Sequence, residues 1–308
     1  MAEFKNEFSW SAARDSLFEE CKRKYYYNYY GYWGGWDRHK ADEISRTLYV
    51  LKNLQNRFLW KGTIVHHEIS RIIKQLTSTG NLTPLETSLK RVTDLMRQEF
   101  RFSRDGAYWD HDGSLRKINY LFEHEYEVDI SDEYWKKNHE EVLKCINNFY
   151  KSDILERIKT LDRESILTID KMVPSSFSFN REKIFVNLDI AYLLDKRIEI
   201  VDWKTGAGDS DTLQFMVYTL YAHEHFDTSL ENISLIEYNL FSGEKTIHRF
   251  GDVQIGWVKN YINTRIGSMK SALKDPVENS AEMTDFPRTE HQWKCNSCNF
   301  KKICFDLP

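Results

Sequence analysis

The hydrophobic pattern of the chain changes character near Ser165. Before that residue, apolar side chains recur at three- and four-residue spacing, which is typical of helices that bury one face. Ser9 has the side chain of an N-cap for the first of these segments. We therefore expect residues 1–160 to be mainly helical, with helices over 9–30, 41–60, 63–76, 84–102 and 136–150.

After Ser165 the pattern favours short strands rich in Val, Ile and Phe, interrupted by two helical segments. Strands are predicted over 166–173, 175–180, 184–194, 198–205 and 233–241, and helices over 211–225 and 253–273. This order predicts an α/β fold in which a mixed sheet is flanked by helices, with a large helical region in front. No linker or internal repeat separates units, so we divide the chain into a helical region 1–160, a core 161–275 and a cysteine-bearing tail 276–308.

The two strands 184–194 and 198–205 are joined by a polar segment and are predicted to form a hairpin. Successive side chains of a strand point to opposite faces, so Asp202 and Lys204 share a face. If Asp195 and Lys196 are the turn residues, Asp189 lies directly opposite Asp202, with Cβ atoms roughly 4.5–5.5 Å apart.

Facing carboxylates are unfavourable unless a positive charge lies between them. A divalent metal ion is the first candidate, and with Lys204 beside it the group would suit hydrolysis of a phosphodiester. The alternative is a solvated hairpin with ordinary surface charges. A one-residue slip of register would send Asp189 to the other face.

Composition limits the class of protein without naming it. The chain has 308 residues, of which 29% are charged and 41% hydrophobic, as in ordinary folded proteins. No apolar run approaches the ~18 residues that span a bilayer, and the N-terminus lacks the apolar core of a signal peptide, so we expect a cytoplasmic protein with no membrane partner. A net charge of −4 argues against a protein that coats nucleic acid non-specifically but leaves room for a local basic groove.

Three of the five cysteines are closely spaced near the C-terminus, at positions 295, 298 and 304, which is typical of metal ligands. A fourth ligand is needed. Cys21 is followed by three basic residues that favour its thiolate, whereas Cys145 lies on the apolar side of a predicted helix and is expected in the core. The spacing does not separate zinc from an iron–sulfur cluster, and three unliganded cysteines in a tail are the alternative.

Five short motifs, followed by the three C-terminal cysteines, resemble the PD-(D/E)XK nuclease superfamily, specifically its RecB-like branch with an iron–sulfur cluster. That branch includes the CRISPR-associated RecB-like nucleases and the nuclease domains of AddB-type helicase partners. The motifs span nearly the whole chain but cover few of its residues. In chain order they are Cys21-Lys22-Arg23-Lys24-Tyr25-Tyr26, Gly62-Thr63-Ile64-Val65-His66, Asp189, Asp202-Trp203-Lys204-Thr205-Gly206 and Gln214-Phe215-Met216-Val217-Tyr218.

The resemblance implies a restriction-endonuclease-like fold and a metal-dependent deoxyribonuclease that acts on single-stranded DNA or DNA ends in repair or defence. By position, His66, Asp189 and Asp202 match the ligands of Mg²⁺ or Mn²⁺. Lys204 matches the lysine that positions the attacking water or stabilises developing phosphorane charge.

The same resemblance gives Gln214 and Tyr218 a role in bracing the active site and contacting the DNA backbone. Their spacing of four residues places them on one helix face. The remaining matches are the ligands of a [4Fe–4S] cluster: Cys21, Cys295, Cys298 and Cys304. The cluster is mainly structural in this family, and a structural Zn²⁺ is the alternative.

Several features leave alternatives open. Of the adjacent residues His66 and His67, only one can face the metal. Glu68 could be a further ligand or a bystander. Trp203 is larger than the residue usual at its position in the family. The aromatic run 25–33 either packs in the core or stacks unpaired bases.

No Gly-X4-Gly-Lys-Ser/Thr motif is present, so any ATP-driven unwinding would come from a helicase partner. Two other functions remain open: a catalytically silent subunit that binds DNA ends in a nuclease–helicase complex, and a zinc-clasped scaffold protein.

Overall fold

A five-stranded mixed sheet forms the centre of the computed structural model, which describes residues 5–111, 115, 118–170, 175–206 and 211–305. Its strand order is β1-β4-β5-β6-β7, and β2 and β3 form a separate two-stranded sheet. The strands are β1 Ile166–Ile169, β2 Ser175–Phe179, β3 Glu182–Val186, β4 Ile190–Leu194, β5 Arg197–Lys204, β6 Ile233–Asn239 and β7 Glu244–His248.

Helices cover both faces of the five-stranded sheet and make up most of the chain before it. They are α1 Ala12–Glu20, α2 Lys22–Tyr26, α3 Glu43–Lys52, α4 Arg57–Thr79, α5 Leu85–Arg104, α6 Phe122–Glu125, α7 Asp132–Tyr150, α8 Asp153–Thr160, α9 Thr212–His225, α10 Asp252–Ser271 and α11 Lys301–Cys304. This arrangement confirms the predicted α/β class, a restriction-endonuclease-like mixed sheet flanked by helices. Among the described residues, no helix is both long enough and apolar enough to cross a membrane.

The hairpin of β4 and β5 has the predicted register. Leu194 pairs with Arg197, and the two residues between them have φ of 49° and 66°. Positive φ at both positions is the conformation of a type I′ turn, which matches the twist of an antiparallel pair. On its other side β5 pairs in parallel with β6, so β5 lies in the middle of the sheet.

Three predicted elements were too long. The predicted strand 184–194 is two strands in different sheets, β3 and β4, separated at residues 187–189. The predicted helix 9–30 breaks at Cys21, whose backbone is extended (φ −165°, ψ 115°). The predicted helix 41–60 ends at Lys52, and α4 begins after Asn56, whose side chain accepts hydrogen bonds from the N–H groups of Phe58 and Leu59.

Other differences are smaller. Strand β1 covers only the start of the predicted segment 166–173, of which 171–173 lie outside the described residues. The elements α8 and β7 were not predicted; β7 is exposed along most of its length, so its sequence lacks the apolar alternation of a buried strand.

Each face of the sheet packs against different helices. Ile200 and Leu235 contribute to a core with the apolar residues of α9 and α10. Val201 and Ile236 face the opposite way, into a core formed with α4 and α7 that also contains Cys145, as predicted. Within the aromatic run 25–33 most rings are buried or half-buried, which supports the packing interpretation.

Candidate active site

Asp189 lies just before β4, not within a strand as predicted, and three contacts hold it. Its Oδ1 is 2.9 Å from Nδ1 of His66 on α4, and its Oδ2 accepts a 2.8 Å hydrogen bond from the backbone N–H of Trp203. Its carbonyl oxygen accepts another from the N–H of Asp170 at 2.8 Å. The carboxylate is therefore fixed by a helix on one side and by the central strand on the other.

Asp202 occupies the position opposite Asp189, one step beyond the last ladder pair, Ile190 with Val201. Its side chain is buried, and Lys204 Nζ lies 2.8 Å from Oδ2. Lys204 therefore compensates the charge of this buried oxygen as an ion-pair partner. The Asp189 carboxylate nevertheless acts unfavourably on that of Asp202, and a divalent cation between the two would offset this repulsion.

Burial and the neighbouring Asp189 charge raise the pKa of Asp202 to about 6, although Lys204 and His66 act in the opposite direction. Burial tends to lower the pKa of His66, but the carboxylates, Asp189 foremost, outweigh it and raise that pKa to about 9. The pair of acids therefore attracts positive charge, which is the property of a divalent-metal site built from carboxylate and imidazole.

Lys204 completes the predicted group. Burial lowers the pKa of its ammonium group, and the carboxylates of Asp202, Glu237 and Asp189 more than compensate, so the pKa lies above its ordinary value. The residue stays charged, as a group that stabilises phosphate charge must be. Trp203, between the two, points the other way and packs edge-on against Phe149 and Tyr238.

These side chains line one cleft of about 720 Å³. Gly62 on α4 allows the helix to approach the segment after β5, because a Cβ at that position would lie 3.2 Å from Thr205 Oγ1. The motif glycine thus sets how closely α4, with His66, sits against the end of the central strand.

The predicted helix motif lies on α9 at the same cleft. Asp211 caps this helix by accepting a hydrogen bond from the N–H of Gln214, and the Gln214 side chain lines the cleft. Tyr218 is buried, and its hydroxyl donates a 2.6 Å hydrogen bond to the carbonyl of Asn187, in the segment between β3 and β4. Tyr218 therefore braces the chain next to Asp189.

The structure places the next two residues after His66 in different environments. His67 is exposed on the rim of the cleft. Glu68 is buried on another face of α4, where Arg71 and Arg91 pair with it at 2.6 and 3.1 Å, so it is a bystander of the cleft.

Sequence reasoning missed several residues of the cleft, two of them large and apolar. Phe58 and Leu59 line it from the first turn of α4, and 57% and 62% of their respective surfaces are exposed. The signal that could have found them is Asn56, a strong N-cap residue inside the segment taken as one helix.

The four predicted cysteine ligands line a different cavity, of about 200 Å³, which shares no lining residue with the cleft. Arg23, next to Cys21 and its helix break, ties this region to the tail, because its N–H and its Nε donate to the carbonyls of Pro287 and Phe286. Burial raises the pKa of Cys298 to about 11, and burial with the charges of Cys304 and Cys21 raises that of Cys295.

Thiols that are close together and held protonated are suited to a metal group, which removes the protons and compensates the charges. Within the described residues, no group of three or more His, Cys, Asp or Glu side chains is placed to hold a metal ion. The case for a metal group at each site therefore rests on the types of donor atom present. These are carboxylates with an imidazole in the cleft, and four sulfurs at the tail.

No curated protein matches the chain. The family model of the PD-(D/E)XK nuclease superfamily matches residues 9–305, which include every predicted site residue and almost the whole chain. The chain therefore belongs to the PD-(D/E)XK nuclease superfamily.

Proposed function

We propose that this protein is a metal-dependent deoxyribonuclease of the RecB-like branch, acting on single-stranded DNA or DNA ends. The observation that carries the proposal is the meeting of His66, Asp189, Asp202 and Lys204 in one cleft, with contacts of 2.8–2.9 Å linking His66 to Asp189 and Lys204 to Asp202. Membership of a nuclease superfamily supports the same reaction class.

In this proposal His66, Asp189 and Asp202 hold Mg²⁺ or Mn²⁺. The ion, when bound, supplies Lewis acidity that lowers the pKa of water and polarises the scissile phosphate. Carboxylate oxygens suit Mg²⁺, and the imidazole allows Mn²⁺ to compete.

The protein's own groups provide orientation and charge. Lys204 presents a permanent positive charge beside Asp202, where it orients the attacking water or neutralises charge that develops on the phosphate. The backbone N–H of Trp203 keeps Asp189 turned toward His66. Fixed ligands of this kind avoid the cost of reorganisation during the reaction.

We assign Gln214 and Tyr218 to support and substrate contact. Tyr218 holds the chain before Asp189 through its hydrogen bond to Asn187. Gln214 presents its amide to the cleft, where it can reach a phosphate or sugar of the DNA backbone.

For the tail we propose a [4Fe–4S] cluster held by Cys21, Cys295, Cys298 and Cys304, with structural Zn²⁺ as the alternative. Support comes from the shared cavity and from the electrostatic interaction among these thiols. A brown protein with stoichiometric iron and sulfide would support the cluster, whereas stoichiometric zinc without iron would replace it.

The experiment that tests the function uses end-labelled single- and double-stranded DNA incubated with Mg²⁺, Mn²⁺ or EDTA. We expect cleavage with either metal, none with EDTA and none by the Asp202→Ala variant. Binding of DNA ends without cleavage under every metal condition would contradict the enzyme and leave a silent DNA-binding subunit, for which a helicase would be the natural partner.

A further inference from the structure

A second cavity, of about 360 Å³, lies between α5 and α7 and is separate from the catalytic cleft. Its apolar lining is aromatic. The Trp135 ring lies edge-on to Phe100 at 5.1 Å between centroids and edge-on to Trp60 at 6.5 Å. Such a lining offers ring faces and edges on which a planar group can stack.

Arginines from α5 form the rim of this cavity. Arg97, Arg101 and Arg104 are spaced four and three residues apart, so they share one helix face. Arg97 pairs with Asp94 at 3.7 Å and Arg104 with Asp105 at 3.0 Å, and all four of these side chains are at least 59% exposed. Pairs this exposed are weak, and a stronger anion can replace the aspartates.

Arg101 is joined by no ion pair among the described residues. The lining itself contains one acid, Asp132, against the three arginines. The rim is therefore a local concentration of positive charge on a chain whose net charge is −4. Its complement is an anionic ligand with a planar group, and a nucleotide has both.

The first turn of α4 connects the two cavities. Phe58 and Leu59 line the catalytic cleft, and the next residue, Trp60, lines the aromatic cavity. Arg57 bridges the outside of this turn, with its guanidinium 4.5 Å from the Phe58 ring and 5.1 Å from the Tyr134 ring. His66 lies seven residues after Leu59 on the helix, a rise of about 10 Å, so a chain leaving the cleft reaches the turn within a short distance.

We propose that the cavity, the arginines and the first turn of α4 form a track that binds single-stranded DNA and leads it into the catalytic cleft. Bases stack on Trp135 and Phe100, phosphates contact the arginines, and Phe58 and Leu59 face bases as they enter. A duplex hides the faces of its bases, so the track selects unpaired strands. This inference rests on the proposed nuclease function.

The test compares the wild-type chain with the Arg97→Ala/Arg101→Ala double variant, whose replaced side chains are exposed. Affinity is measured by fluorescence anisotropy without divalent metal, for a short oligodeoxythymidine that fills only the cleft and for a longer one. We expect the double variant to bind the longer strand at least about tenfold more weakly than the wild type does. The slope of log affinity against log salt concentration should become shallower by roughly 1.4, because each of the two lost phosphate contacts contributes ~0.7. Affinity for the short strand should not change.

Three further variants complete this test. Arg163→Ala removes the same charge from an exposed position outside both cavities and should bind both strands like the wild type. Trp135→Ala should weaken binding of the longer strand by roughly 5- to 150-fold, the range for loss of one stacked base. Because Trp135 also packs inside the protein, Trp135→Phe serves as the variant that keeps the fold and restores most of the affinity.

The outcomes separate the track from the nuclease. If the wild type cleaves single strands but the double variant binds the longer strand equally well with the same salt slope, the track is wrong and the function stands. If the wild type binds through the arginines but cleaves nothing, the track stands and the proposed function falls. Equal, arginine-dependent affinity for duplex DNA would overturn the selection of unpaired strands.

Discussion

The catalytic cleft and the cysteine cavity hold their proposed ligands in opposite ways. In the cleft, Asp202 and Lys204 belong to the central strand of the sheet, Asp189 is bonded to that strand's backbone, and His66 projects from a helix of 23 residues. The sheet register and the packing of α4 place these groups whether or not a metal is present. A preformed site of this kind uses the fold to position the metal.

The cysteine cavity has little regular structure of its own. Cys21 lies at an extended residue between two helices, and the tail cysteines lie on or between a turn of 3₁₀ helix and an α-helix of four residues. Such short elements have few internal hydrogen bonds to stabilise them. If the proposed metal groups bind, this comparison predicts that the one at the tail contributes mainly to folding and the one in the cleft to chemistry.

Among the substitutions that test this comparison, Lys204→Ala should have the largest effect on cleavage. Removing the ammonium group should lower the cleavage rate at least about a hundredfold, the cost of losing one group that stabilises transition-state charge. Metal content at the cysteines and the melting temperature should stay close to wild type, because Lys204 is partly exposed and contributes little to the core. Cleavage of labelled DNA, metal analysis and thermal unfolding provide the three measurements.

Lys274→Ala is the matched control, because this exposed lysine pairs with Glu282, far along the chain from the cleft residues. It should cleave DNA at the wild-type rate. Wild-type cleavage by Lys204→Ala as well would remove Lys204 from the reaction and, with it, the main electrostatic element of the mechanism.

The second effect concerns the tail. Cys21→Ser should lose the bound metal group and lower the melting temperature by about 5–10 °C, equivalent to a few kcal/mol of binding free energy that contributes to folding. Proteolysis should then cut first in the tail. Residual cleavage of DNA should exceed that of Lys204→Ala, because the cleft is built on other elements.

Cys145→Ala controls for the loss of a thiol. Cys145 is fully buried in the core of α4 and α7, so its replacement should cost about 1 kcal/mol and leave the metal content unchanged. If Cys21→Ser kept both its metal and its melting temperature, the four-cysteine assignment would be wrong.

The sequence was informative where local chemistry decides the structure. The polar turn at Asp195 and Lys196 between two apolar strands fixed the register, and the register placed Asp189 opposite Asp202. Likewise, the contrast between Cys21, beside basic residues, and Cys145, among apolar ones, separated a residue of the cysteine cavity from a core residue.

Other features depend on contacts between distant segments and left no local signal. The segment 184–194 is mainly apolar, and Asn187 and Asp189 alternate with buried residues as they would along a single strand, so they do not mark the step from one sheet to the other. Beside the break at Cys21, the N–H and the Nε of Arg23 donate hydrogen bonds to the carbonyls of Pro287 and Phe286. The lining of the cleft by Phe58 and Leu59 depends on where α4 docks.

A smaller effect is expected where α4 meets the end of β5. Gly62→Ala places a Cβ 3.2 Å from Thr205 Oγ1, so the helix or the hydroxyl must shift by a few tenths of an ångström. We expect cleavage to fall by about tenfold, because small misplacements of catalytic groups are costly. Alanine favours the helix over glycine by about 1 kcal/mol, which should largely offset the destabilisation caused by the close contact.

Gly256→Ala in α10 is the matched glycine, since nothing lies within 4 Å of its added Cβ. It should raise stability by up to about 1 kcal/mol and leave cleavage unchanged. Equal cleavage by the two alanine variants would mean that the spacing of α4 from the strand end does not control the position of His66.

The smallest effect on cleavage is expected from Glu68→Gln, although this residue lies only two positions from His66. Its carboxylate is buried and already paired with Arg71 and Arg91, so it points its charge away from the cleft. The substitution should cost about 1–3 kcal/mol of stability, because a buried charged partner is lost. Titration with Mn²⁺ should nevertheless give the wild-type affinity. A tenfold loss of Mn²⁺ affinity without further loss of stability would instead make Glu68 a ligand. The cleft would then need to rearrange when it binds metal, as is expected of the cysteine cavity.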